Sequence, residues 1–217
     1  MSILDGPSHA PQSGGKPDSL VVMLHGLGSN GDDLISLADM WAEALPNTVF
    51  HAPNAPHPFD QASFGFQWYS RQTEESRRNG VRDVTDTVVG YVDELLEEYG
   101  LEPSRCVQVG FSQGSIVSLH VVPRRQRPLA GLVAFSGFMA TADTLPDEIT
   151  NKTPVTLIHG QEDQVLPASN SEDAGQVLTK LSVPNQVHIL PGLGHSIDMR
   201  GIELSTSFMT NVLGVST

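Results

Sequence analysis

The 217-residue sequence has a single cysteine, Cys106, so no disulfide can form within the chain. That scarcity agrees with a reducing compartment, and a cytoplasmic location is expected. No stretch approaches the ~18–20 uninterrupted apolar residues that a membrane-spanning helix requires. The first residues, MSILDGPSHAPQSGGKPD, contain neither a cationic start nor an apolar core, so no export signal is expected. Positive charge is also scarce: 12 Lys and Arg stand against 25 Asp and Glu, a formal net charge of −13. A surface this acidic repels phosphate backbones and anionic bilayers, which argues against nucleic acid and against stable membrane association. Two local basic runs, Arg71 to Arg78 and Arg124 to Arg127, read as solvated loop and helix-end charge. No spacing of His, Cys, Asp and Glu resembles a zinc site, so neither metal nor cofactor is expected.

The content that remains is that of an ordinary folded domain, with 39% hydrophobic and 17% charged residues. Residues 5–19 are rich in Pro, Gly and Ser, so 1–19 are expected to form a loose leader, with one domain over 20–217. Leu20-Val-Val-Met-Leu24 is a continuous apolar run, the pattern of a strand buried on both faces. Similar runs predict strands at 48–51, 105–109, 130–135, 155–158 and 186–190. Helical spacing of apolar residues predicts helices over 34–45, 81–99, 113–122, 169–182 and 196–212. Such alternation implies an α/β fold: a mostly parallel central sheet with helices on both faces, whose ligand site lies at the carboxyl ends of the strands. Residues 53–79 remain as a long segment with three prolines in its first half and no sustained apolar face, which predicts a fixed wall and no lid.

Three of the loops that leave strands hold reactive side chains. Gly110-Phe-Ser-Gln-Gly114 fits G-x-S-x-G between a short strand and a buried helix, the setting of an exposed nucleophilic serine. His159-Gly-Gln-Glu-Asp163 follows the strand at 155–158, and Pro191-Gly-Leu-Gly-His195 follows the strand at 186–190. The chain order Ser112, Asp163, His195 is that of α/β-hydrolases. A serine hydroxyl needs a base, which His195 supplies near neutral pH, and an acid such as Asp163 to hold the imidazole tautomer. Glu162 and Asp198 are the rival acids. Glu162 should point away from its neighbour's direction, and Asp198 should fall in the following helix. The oxyanion of a tetrahedral intermediate would face the backbone N–H of Gln113 and that of Leu27, in the glycine-rich loop His25 to Asp33. That loop lacks the Lys-Ser/Thr ending of a phosphate-binding P-loop. Trp68, Phe138 and Met139 are candidates for the substrate pocket wall. Cys106, on a predicted buried strand, reads as an inert core thiol.

The set Leu24-His-Gly-Leu-Gly28, Trp68-Tyr69, Gly110-Phe-Ser-Gln-Gly114, Phe135-Ser-Gly137, His159-Gly-Gln-Glu-Asp163 with Val165-Leu-Pro167, and Gly194-His195 resembles the phospholipase/carboxylesterase family of α/β-hydrolases. The resemblance covers residues from about 20 to 212. It implies a small serine esterase without a lid domain or cofactor, frequently a homodimer, acting on a small-molecule ester. Ser70 departs from the acidic residue or Asn that the family commonly carries after Trp-Tyr. The expected activity is hydrolysis of short- to medium-chain carboxylic esters through an acyl-enzyme. The alternatives are cleavage of acyl thioesters or lysophospholipids and, from another class, a catalytically silent binding protein on the same fold.

Overall fold

The computed structural model of the chain describes residues 4–215. A seven-stranded sheet forms its centre. In chain order the elements begin with β1 (Ser8–His9), β2 (Ser19–Leu24), α1 (Gly31–Ile35), α2 (Ala38–Ala42) and β3 (Thr48–His51). A small hairpin of β4 (His57–Pro58) and β5 (Phe66–Gln67) follows, then α3 (Glu74–Asp83) and α4 (Thr85–Tyr99). The second half alternates strictly: β6 (Cys106–Phe111), α5 (Gln113–Val121), β7 (Gly131–Phe135), α6 (Leu145–Glu148), β8 (Val155–Gly160), α7 (Ser169–Lys180), β9 (Asn185–Leu190) and α8 (Met199–Leu213). The strands lie in the order β1-β3-β2-β6-β7-β8-β9, and only β1 runs antiparallel to its neighbour. This is the expected mostly parallel sheet of the α/β-hydrolase fold.

Each central strand feeds two cores, because successive side chains point to opposite faces. From β2, Leu20, Val22 and Leu24 pack with Val88, Val92, Ile116 and Leu178 of α4, α5 and α7. Val21 and Met23 point the other way, towards Leu34, Ala38, Trp41, Ile202 and Met209 of α1, α2 and α8. The indole N–H of Trp41 donates to Ser205 Oγ at 3.0 Å and ties α2 to α8. Burial of the Cys106 thiol in the first of these cores raises its pKa to about 12, the condition of an unreactive thiol.

Four local expectations need correction. Residues 1–19 are not loose throughout the described part: Ser8 and His9 pair with His51 and Phe50 of β3, and Leu4 is buried. The edge strand β3 offered unpaired backbone groups, and this short segment satisfies them. Residues 34–45 form two short helices, because the chain turns between Ile35 and Ala38. The segment 53–79 contains the hairpin and the first turns of α3. The signal for that helix was a capping box, in which Thr73 Oγ1 accepts from Ser76 N at 3.0 Å and Ser76 Oγ from Thr73 N at 3.1 Å. The 81–99 stripe is likewise broken at Val84 into α3 and α4, and Gly100 ends α4 in the left-handed region at φ 65°. The basic run after α5 is internally paired, with Arg124 on Glu148 and the His120 carbonyl, Arg125 on Asp93 and Arg127 on Glu102.

Candidate active site

Ser112 stands between β6 and α5 with φ 53° and ψ −115°, a conformation that costs a non-glycine residue on the order of 1–3 kcal/mol. Its flanking glycines make the turn sterically feasible. A Cβ on Gly110 would sit 2.6 Å from the Ser115 backbone nitrogen, and one on Gly114 would sit 2.0 Å from the Leu24 carbonyl oxygen. The turn therefore tightens until α5 begins directly against the end of β2, with the serine side chain raised above the sheet.

His195, in the loop after β9, reaches Ser112 Oγ with Nε2 at 2.9 Å. Its Nδ1 lies 2.6 Å from Asp163 Oδ2, in the loop after β8. The carboxylate accepts at Nδ1, so that nitrogen carries the proton, and Nε2 is left to accept from the serine hydroxyl. The Phe111 ring flanks the imidazole at 5.0 Å between centroids. Asp163 is fully enclosed, and Oδ1 accepts from the N–H groups of Val165 at 2.8 Å and Leu166 at 2.9 Å. Burial alone would raise its pKa. The hydrogen bonds from Leu166, His195 and Val165 together outweigh burial and hold it below the ordinary carboxylate value. Glu162 is exposed beside it. Asp198 caps α8, accepting from Gly201 N at 3.0 Å and paired with Arg200, away from the histidine's hydrogen bonds.

The backbone N–H groups of Leu27 and Gln113 border the same cavity, and neither has an intramolecular acceptor among the described residues. Both loops are braced. Gly28 N donates to Phe66 O at 2.8 Å, and Phe66 N returns a bond to Ser29 O. Buried His25 donates from Nδ1 to Gly26 O at 2.7 Å and accepts at Nε2 from Ala55 N at 3.0 Å, as a neutral ring does. Its pKa is lowered, chiefly by burial. The Gln113 side chain accepts from Trp68 N and donates to Tyr69 O, each at 2.9 Å. Leu27→Ala should therefore leave kcat nearly unchanged and raise KM only a few-fold, since the side chain is pocket lining while the N–H stays. Loss of an oxyanion donor costs about 10²–10³ in kcat, so a drop of that size in steady-state assays would assign the contribution to the side chain.

Leu27, Tyr69, Ile116, Phe138, Val165 and Leu166 form the apolar wall of a cavity of about 260 Å³ in front of Ser112 and His195, with Arg71 on its lining. The side chains of Arg77 and Arg78, at the far end of the same basic run, lie outside the described residues. Of the expected wall residues only Phe138 lines this cavity. Trp68 is wholly buried beneath the loop, where its indole N–H finds the His25 carbonyl at 2.8 Å. Its neighbour Tyr69 faces the substrate side instead. Met139 is partly buried and packs against the core. Val165 and Leu166, part of the family-like motif, are wall residues that the sequence did not single out as such, although an apolar pair so close behind Asp163 was the available signal. Within the segment 53–79, Tyr69 packs closely on α3, since Gly80 lies so near it that a Cβ there would meet the ring at 2.3 Å.

Comparison with known proteins agrees with this fold. The chain is 37% identical to esterase PE8, whose crystal structure superposes with a TM-score of 0.92 over 97% of this chain and 99% of that one. It is 27% identical to Esterase YpfH of Escherichia coli strain K12, over 89% of this chain and 83% of that protein. It is 29% identical to Acyl-protein thioesterase 1 of Emericella nidulans, over 91% and 92% of the respective chains. The Phospholipase/Carboxylesterase family profile matches residues 10–213. With nearly its whole length accounted for, the chain belongs to the phospholipase/carboxylesterase family of α/β-hydrolases.

Proposed function

We propose that the protein is a serine hydrolase of carboxylic esters, with Ser112 as nucleophile, His195 as general base and acid, and Asp163 as the group that orients it. The carrying observation is the continuous hydrogen-bond chain Ser112–His195–Asp163 at the floor of an apolar cavity. Ser112 Oγ attacks the ester carbonyl carbon as its proton passes to His195 Nε2. The carbonyl electron pair moves onto oxygen, which faces the N–H groups of Leu27 and Gln113. Collapse of this intermediate expels the alcohol, protonated by His195, and leaves an acyl group on Ser112. Water, deprotonated by His195, then releases the acid and restores the serine.

A thioester undergoes the same two steps with a thiol as leaving group, and the likeness to Acyl-protein thioesterase 1 favours that as the second reading. The test is labelling with a fluorophosphonate, mapped to Ser112, followed by kcat/KM for matched esters, thioesters and a lysophospholipid. No covalent label at Ser112 would exclude both readings in favour of a silent binding protein.

Chain-length preference follows from the cavity. Each methylene buried contributes ~0.8 kcal/mol, or about fourfold in kcat/KM, until the space is filled. Rates on p-nitrophenyl esters should rise over the first few acyl carbons and then level off or fall. His195 retains 18% side-chain exposure and Val165 63% exposure, so monomeric substrate reaches the site without an opening step. No jump in rate is expected above a substrate's micelle threshold. Sharp activation there, or rates still climbing with long-chain esters, would show a lid that these contacts do not provide.

A further inference from the structure

Asp163 has a second histidine. His159, the penultimate residue of β8, is buried with 0% of its side chain exposed. Its Nε2 lies 3.1 Å from Asp163 Oδ2 and 3.0 Å from the Leu166 carbonyl oxygen. Both are acceptors, so Nε2 must bear a proton and share it between them. Nδ1 lies 2.7 Å from the buried hydroxyl of Ser171, the third residue of α7. If the serine donates there, every polar atom of the neutral ring is satisfied. The hydrogen bonds thus continue past Asp163 as Ser171→His159→Asp163, ending on the same oxygen, Oδ2, that receives the bond from His195.

We propose that His159 is a positioning residue for catalysis: it holds the Asp163 carboxylate and the Leu166 carbonyl in one three-centre bond, setting the acid against His195. This rests on the reading of Ser112, His195 and Asp163 as the catalytic machinery. Two consequences follow. The bond to Leu166 O keeps loop 161–167 in the position from which Val165 and Leu166 N–H groups grip Oδ1. The bond to Oδ2 draws electron density from the carboxylate, so His195 feels a weaker anion than it would beside a carboxylate without this donor. Arg71 lines the same cavity as His195 and is the same in every variant below.

The experiment uses the full chain and compares His159→Gln with His159→Asn. A glutamine amide can place its N–H at the position of Nε2 and keep the bonds to Asp163 and Leu166. An asparagine amide ends near the position of Nδ1, where it reaches Ser171 but not Asp163. Rates are expressed per fluorophosphonate-reactive Ser112, so that misfolded protein does not count. His159→Asn should lose about tenfold in kcat with KM changed less than about twofold, the scale of one hydrogen bond to a charged group. The acidic limb of its kcat/KM profile should move to higher pH, because a carboxylate with one donor fewer stabilises the His195 imidazolium more. His159→Gln should stay within about threefold of the wild type with its limb in place. Where His159→Asn does not fold, His159→Leu supplies the donor-free variant with the same expectation. Equal losses for the Gln and donor-free variants, a loss confined to KM, or an acidic limb that stays put or moves down would overturn the role of His159. Wild-type protein that the probe does not label at Ser112 would instead overturn the hydrolase reading itself.

Discussion

Ser112→Ala should lower kcat by about 10⁴–10⁶ while leaving a folded protein. The loss is large because Ser112 Oγ is the atom that would form the acyl bond, and no other hydroxyl is within hydrogen-bonding reach of His195 among the described residues. The fold should survive because the serine side chain does not cap α5 and forms no other bond. Alanine meets the same φ of 53° and the same glycine-lined turn, so no new strain arises. What remains should be the contribution of binding and of the N–H groups of Leu27 and Gln113. Steady-state turnover of a p-nitrophenyl ester, beside circular dichroism and the thermal midpoint, is the measurement. Substantial turnover by the pure, folded variant would remove Ser112 from the mechanism.

Asp163→Asn should cost about 10⁴ in kcat although the change is isosteric. The Val165 and Leu166 N–H groups at Oδ1 dictate that the amide oxygen takes that side. The amide NH₂ then occupies the place of Oδ2, where the N–H groups of His195 and His159 both point. Donor meets donor. His195 escapes by moving its proton to Nε2, where it can no longer accept from Ser112. Asp198→Asn should change kcat little, since Asp198 serves as the cap of α8 and a partner of Arg200; asparagine caps a helix about as well, so the thermal midpoint should fall only slightly, through the lost Arg200 pair. A mild Asp163→Asn beside a severe Asp198→Asn would reverse the assignment of the acid.

The comparison of Glu162, Asp163 and Asp198 shows how far residue order carries. The strand run at 155–158 and the following His-Gly-Gln-Glu-Asp placed an acid at a carboxyl end of the sheet, and Gly194-His195 placed a base beside it. Both inferences need only the period of buried strands and the rule that sites lie where strands end. The G-x-S-x-G turn was legible as a pattern, but its two glycines have different causes: Gly110 answers to the Ser115 backbone a few residues on, whereas Gly114 answers to the Leu24 carbonyl at the end of β2. Element type was legible wherever one strand or helix was buried on a consistent face, as in β2, β7, α5 and α8.

Other features depended on contacts between distant parts of the chain. Ser8 and His9 became a strand only because β3 presented an open edge, a property of the assembled sheet. Trp68 and Tyr69 are adjacent aromatics, and sequence could not say which would face the substrate. The choice fell to the Gln113 side chain and the His25 carbonyl, which hold Trp68 from beneath. His159 is one of eight histidines and has no motif of its own beyond the loop it opens. Its place against Asp163 and Ser171 comes from the packing of α7 on β8 and β9. Residue order and the period of burial were enough for the fold class, for the pattern of the turn at Ser112 and for the order of the three reactive residues, because strand ends and buried runs can be read locally. Tertiary structure decided the pocket wall, the fate of the N-terminal segment and the surroundings of the acid, because each depends on which hydrogen-bond partner lies within reach once the sheet has closed.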